Sequence, residues 1–105
     1  MLRVNEMANK NEKLEVENIN VPGQVTRVNA AKYSAMKVAF LNILPNQSPG
    51  LTQKEIQQQV KPHLPDDLFP QGQTSGWWAK TVQLDLEAKG SVVREKTKPL
   101  RWHKV

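Results

Sequence analysis

The sequence predicts an α+β domain of three helices closed by a C-terminal β-hairpin, and three observations lead there. Tyr33, Met36, Phe40, Ile43 and Leu44 recur at helical spacing. Thr52 and Glu55 stand three residues apart at the head of a second helical run. The stretch "GWWAKTVQLDLEAKGSVVREKTKPLRWHKV", residues 76–105, reads as a helix, a glycine stop and a two-stranded ribbon. Helix, glycine and basic hairpin in that order make the C-terminal half of a winged helix, whose ribbon lies beside the recognition helix. The full expectation is a winged helix of three helices plus a C-terminal β-hairpin wing. An extended N-terminal arm precedes it, and a long Pro-rich connection joins helices 2 and 3.

Residues 1–14, "MLRVNEMANKNEKL", are polar, charged and without periodicity, and a flexible tail is expected there, ahead of a single domain over 15–105. Met7 followed by Ala8 reads either as a second start or as the point after an added extension, so no functional weight is placed on Leu2 or Arg3. From Leu14 to Val28 the apolar residues are interrupted by Pro22 and Gly23, the pattern of an extended arm with a turn in it, whose valines need the body of the domain to bury them. Asn29 is the expected N-cap of the first helix, which ends near Leu44 because Pro45 excludes helical geometry just before it. "LTQKEI" carries a capping box, Thr52 with Glu55, and a hydrophobic staple, Leu51 with Ile56. The second helix therefore starts at Gln53 and runs to about Val60, before Pro62.

The connection "KPHLPDDLFPQGQTS" is several times longer than the three or four residues of a helix-turn-helix. Leu64, Leu68 and Phe69 are too apolar for a free loop, and "PDDLF" is expected to form one helical turn that packs them down. Ser75 or Thr74 is the expected cap of the third helix, which stops at Lys89 or Gly90. At about 100° per residue, Ala79, Val82 and Leu86 share one stripe directed at the core, with Trp78 on its border. Trp77, Thr81, Leu84 and Ala88 form a second, outward sector that is also apolar, and Lys80, Gln83 and Glu87 a narrow polar arc. In the last strand, Trp102 is expected on the domain with Leu100 beside it, and the wing takes a third strand from the arm or from near Gly50.

A single chain of 105 residues allows one modest core, burying roughly 60 to 70% of the surface exposed by the unfolded chain. The absence of cysteine excludes a disulfide, a thiol nucleophile and a thiolate metal site, and suits a reducing compartment. No apolar run is long enough to span a membrane, and the polar start lacks a signal peptide's apolar region, so a soluble, cytoplasmic protein is expected. The net charge is +5, and residues 91–105 hold five basic and one acidic side chain, so the hairpin carries +4 of it. Clustered positive charge favours a polyanion through counterion release, while lysine on an exposed strand also simply prevents edge pairing.

Catalysis is not indicated. His63 and His103 have no metal-ligand spacing around them and read as surface or packing residues. Asp66 and Asp67 stand together before an apolar pair, as acids do in the first turn of a helix. The glycines match neither a phosphate-cradling loop nor a dinucleotide fingerprint. No catalytic residue, metal or cofactor is expected, and nothing points to a small-molecule substrate.

Two non-enzymatic readings follow. In the first, the wing grips the backbone of double-stranded DNA, with low sequence specificity, through Arg94, Lys96, Lys98, Arg101 and Lys104, with Lys80 and Gln83 nearby. The outward face of Trp77, Thr81, Leu84 and Ala88 calls for a cover, either the valine-rich N-terminal arm or the Pro-rich connection of the same chain, or, in the second reading, a partner protein or a second copy of the chain. The third helix balances Lys80 and Lys89 against Asp85 and Glu87, a formal charge of zero that suits base reading poorly.

The segments "VTRVNAAKY", "LPNQSPGLTQKEI", "PHLPDDLFP", "GWWAKTVQLDLEAKG" and "TKPLRWHK" resemble a small uncharacterised bacterial family, a domain of unknown function with a winged-helix-like fold. The likeness covers roughly residues 14–105 and implies a fold, without implying an activity, ligand or site. "LDLEAKGSVVRE" is further similar to winged-helix regulators, whose fold also serves protein interaction.

Overall fold

The computed structural model describes residues 12–105. Most of the expected flexible tail, and Met7 with it, lies outside these residues, and the first strand already begins at Lys13. The arm is a β-hairpin. Strand β1 (Lys13–Glu17) pairs antiparallel with β2 (Val25–Asn29), with Leu14 opposite Val28 and Val16 opposite Thr26. Leu14, Val16 and Val28 face the domain, while Lys13, Glu15 and Arg27 stay exposed on the alternate register. The ribbon turns through Asn18–Gln24, where the Val21 amide donates to the Asn18 carbonyl at 2.9 Å.

Helix α1 (Ala30–Ile43) follows without a gap, because Asn29 leaves the strand and caps the helix, its side chain accepting from the Lys32 amide at 2.9 Å. Tyr33, Met36, Ala39 and Phe40 form its buried face, and Leu44 turns extended ahead of Pro45 as expected. Strand β3 (Leu51–Thr52) leads into α2 (Gln53–Val60) through the full capping box: Thr52 Oγ accepts from the Glu55 amide, and the Glu55 carboxylate accepts from the Thr52 amide at 2.9 Å. That backbone bond holds the Glu55 carboxyl below its usual range.

The long connection is part of the core. The Phe69 and Leu68 amides both donate to the Pro65 carbonyl, making the expected helical turn. Phe69 is fully buried edge-on to Trp78, with ring centroids 6.5 Å apart, and Leu64 and Leu68 pack against the same cluster. Helix α3 (Ser75–Ala88) starts differently from expectation. Thr74 holds the N-cap position in a left-handed conformation, and its hydroxyl bonds to the Gln73 carbonyl and not to the first turn of the helix. Ser75 is already inside the first turn and buried. The helix ends where glycine permits, with Gly90 at φ +81° and the Ser91 amide returning to Leu86.

Strands β4 (Val92–Glu95) and β5 (Arg101–Lys104) make the C-terminal hairpin, and β3 joins on the other side of β5 to give the order β3–β5–β4. Leu51 pairs with Trp102, supplying the third strand near Gly50. Gly50 is required there: at φ +93°, a Cβ would overlap the Trp102 carbonyl oxygen. Val92 and Trp102 point inward and are buried. Leu100 does not lie beside Trp102 on the domain; it sits in the turn before β5, 39% exposed. No helix among the described residues is long and apolar enough to cross a membrane.

Candidate functional site

The second apolar sector of α3 is where the fold leaves room. The N-terminal ribbon packs beside α3 with its inward face toward the helix, and a cavity of about 390 Å³ remains between them. Val16, Thr26 and Val28 form the ribbon wall, with Asn18 and Gln24 at the turn end. The opposite wall is one face of α3, Gly76, Trp77, Lys80, Thr81 and Leu84, spaced as helical neighbours are. Trp77 is 59% exposed, the most exposed aromatic side chain of the described residues, and meets the buried Trp78 edge-on at 5.0 Å between ring centroids. One indole is thereby anchored and the other presented. The Thr81 hydroxyl is turned back onto the Trp77 carbonyl at 2.9 Å, so the wall around Trp77 behaves as more apolar than its composition.

The ribbon is fixed over α3 by a carboxylate that the sequence reading passed over. Asp85 has no solvent exposure, and its Oδ1 accepts the Glu17 amide at 2.8 Å. The Lys89 ammonium reaches both carboxylate oxygens, at 2.7 and 2.8 Å, and the Tyr33 hydroxyl donates to Oδ2. One charged group thus joins β1, α1 and the end of α3. Burial, and then the hydrogen bond and charge of Asp85, push the Tyr33 phenol far above its usual range, so it remains a donor. The i, i+4 spacing of Asp85 and Lys89 was the available sequence signal; the tyrosine 52 positions away was not.

The basic residues expected to hold phosphate are brought to one end of the molecule only in part. Arg94 is bound bidentately by Glu87, at 2.9 and 3.2 Å, and its guanidinium lies 5.7 Å from the centre of the Trp102 ring. The same Glu87 carboxylate accepts from Trp102 Nε1 at 3.1 Å, which locks the wing to α3. Arg101 donates to the Gly50 carbonyl at 3.0 Å and approaches Glu55, and Lys104 donates to the Leu41 carbonyl at 2.9 Å. Lys96 and Lys98 are exposed in the wing turn, and Lys80 is exposed at the cavity.

Gln83 contradicts its expected place: it is 2% exposed, part of a buried arc of α3 that runs from Asp85 through Leu86 to Gln83. The arc is wider than the apolar stripe because α1, α2, β1 and the C-terminal hairpin all pack on this helix, and the Gln83 side chain is enclosed rather than presented outward. Of the outward face, Trp77 is exposed as expected, and Thr81, Leu84 and Ala88 are half-buried. His103 bridges Lys104 and Glu95 on the wing, and His63 lies 3.4 Å from the Asn42 amide. Among the described residues no group of three or more acids or histidines is placed to hold a metal ion.

Neither the curated proteins nor the solved structures contain a match to this chain. A family model does match, over residues 13–102, taking in the ribbon, the three helices and almost all of the wing. The chain belongs to the family of unknown function DUF6958.

Proposed function

We propose that this is a non-catalytic winged-helix binding module whose working surface is the cleft between the N-terminal ribbon and α3, in place of the wing. The element order α1–β3–α2–α3–β4–β5, with β5 central in the sheet, supports the winged-helix reading. The carrying observation is Trp77: an indole 59% exposed forms the wall of a cavity of about 390 Å³ that Val16, Val28 and Leu84 complete. Small-molecule and anchor-residue sites are concave and mostly apolar in this way. The wing supports a polyanion less well, since Arg94, Arg101 and Lys104 each donate within the chain and Gln83 is buried.

The apolar probe 8-anilinonaphthalene-1-sulfonate tests the reading. Saturable binding at one site is expected for the native chain, and Trp77→Ala loses it while unfolding within about 1 kcal/mol of the parent, because the removed indole is largely exposed. Probe binding indifferent to Trp77 overturns the proposal. A dimer in light scattering that Trp77→Ala dissociates places a second copy of the chain on the same face and supports the cleft as the working surface.

A further inference from the structure

We infer that the cleft takes a small amphipathic acid, an aromatic or branched apolar body ending in one carboxylate; this rests on the cleft being the working surface. The apolar body is defined by the walls. Val16 and Val28 on the ribbon face Trp77 and Leu84 on α3, across a volume within the range of about 300–1,000 Å³ typical of small-ligand sites.

The head group is defined by charge. Lys80 lies three residues after Trp77 and four before Leu84, so it stands on the same edge of α3 as these two apolar residues, with its ammonium within reach of the cleft mouth that it lines. It is exposed and engaged in no ion pair among the described residues, unlike Arg94, Arg101 and Lys89. Glu17 also borders the cleft, but it is exposed on the solvent register of β1, and its amide is the group turned inward, to Asp85. The polar groups remaining around the rim, Asn18, Gln24 and Thr26, are neutral donors and acceptors. Gly76 brings the first turn of α3 into the wall, and that turn carries no acidic side chain, so the helix field adds to Lys80 in favouring a negative head. A neutral ligand of the same body uses the walls and leaves Lys80 unused; an amine meets a cation.

The test compares 1-naphthaleneacetate with 1-naphthaleneacetamide, which share a ring system and differ in charge, by calorimetric titration of the whole chain and of Lys80→Gln. The acid is expected to bind about fivefold tighter than the amide, the scale of one exposed ion pair. Lys80→Gln, an exposed substitution that leaves the walls intact, is expected to erase the difference, and added salt to narrow it. Equal binding of acid and amide, or a preference that survives in Lys80→Gln, overturns the acid assignment and leaves the cleft in place. Binding of neither compound, together with no probe binding at Trp77, overturns the cleft reading itself.

Discussion

The backbone amide of Glu17 donates to Asp85 Oδ1 at 2.8 Å, so the ribbon is tied to α3 by a carboxylate that never meets solvent. Breaking a buried, hydrogen-bonded charge cluster by removing one member costs about 3–5 kcal/mol. Asp85→Ala is expected to lose that much in urea unfolding, and Tyr33→Phe about 1.5–3 kcal/mol, the scale of a bond to a charged acceptor. An Asp85→Ala loss below about 1 kcal/mol contradicts the tie.

Gln83 presents the opposite case. Its side chain is 2% exposed and has no hydrogen-bond partner among the described residues. An unsatisfied buried amide costs about 1–3 kcal/mol. Gln83→Met, similar in length and shape, is expected to raise the urea midpoint at unchanged slope, gaining about 1 kcal/mol. A destabilised variant removes this account of the position.

Gly50→Ala places a Cβ against the Trp102 carbonyl in a left-handed conformation that itself costs about 1–3 kcal/mol for other residues. The overlap is with backbone, which no rotamer change relieves. The expected outcome is a loss of at least about 2 kcal/mol, with weakened near-ultraviolet dichroism as Trp102 leaves its fixed environment. Native stability and an unchanged spectrum refute the role of Gly50.

Glu87 sets how much charge the wing can offer a polyanion. With Arg94 bound to Glu87 and Arg101 and Lys104 donating within the chain, Lys96 and Lys98 are the wing cations that stand exposed. Any duplex binding at about 50 mM salt is then expected to show a log–log salt slope no steeper than about −2. Glu87→Gln releases Arg94 and steepens the slope by about one. A slope of −4 in the native chain restores the wing as the working surface.

His103 makes the wing sensitive to pH. Its Nδ1 lies 2.9 Å from the Lys104 carbonyl and its Nε2 2.8 Å from the Glu95 carboxylate, and only the imidazolium donates to both. The carbonyl bond first, and the bond to Glu95 second, raise its pKa above the ordinary 6.5. A raised pKa contributes stability that is fully present below 6.5 and is lost as pH rises through the folded value. Unfolding across pH 5.5–8.5 is expected to show this decline in the native chain and not in His103→Asn, while Glu95→Gln lowers the His103 pKa measured by NMR.

What the sequence made legible was local. The Asn29 cap, the Thr52 and Glu55 box, the stop at Gly90 and the turn at Pro65 each rest on residues within a few positions of one another, so the chain carries the whole signal. The ribbon was visible as an arm with a turn and invisible as a sheet, since pairing is a property of two strands and a register. The site was half legible. An apolar outward face at Trp77 and Leu84 can be counted on a helical wheel and the N-terminal arm is one of its expected covers, but the wheel does not show that the arm, as a ribbon, leaves a cavity beside it. Gln83 and Asp85 were misplaced or missed because burial on a helix is set by what packs around it, and four separate elements, α1, α2, β1 and β4, pack around α3. The wing cations were overcounted for a related reason: sequence records five positive side chains and no hint that Glu87, Gly50 and Leu41 would engage three of them.

The two-residue strand β3 has a kinetic consequence. Its partner positions, Leu51 with Trp102 and Thr52 with Arg101, close a loop of about 50 residues, and loop closure on that scale costs roughly 3.5 kcal/mol of chain entropy before any contact repays it. Two backbone pairings cannot return that sum alone. The sheet is therefore expected to close late, after α1, α2 and α3 have gathered and brought the distant segments near one another, and substitutions in β3 are expected to accelerate unfolding while leaving the folding rate nearly unchanged.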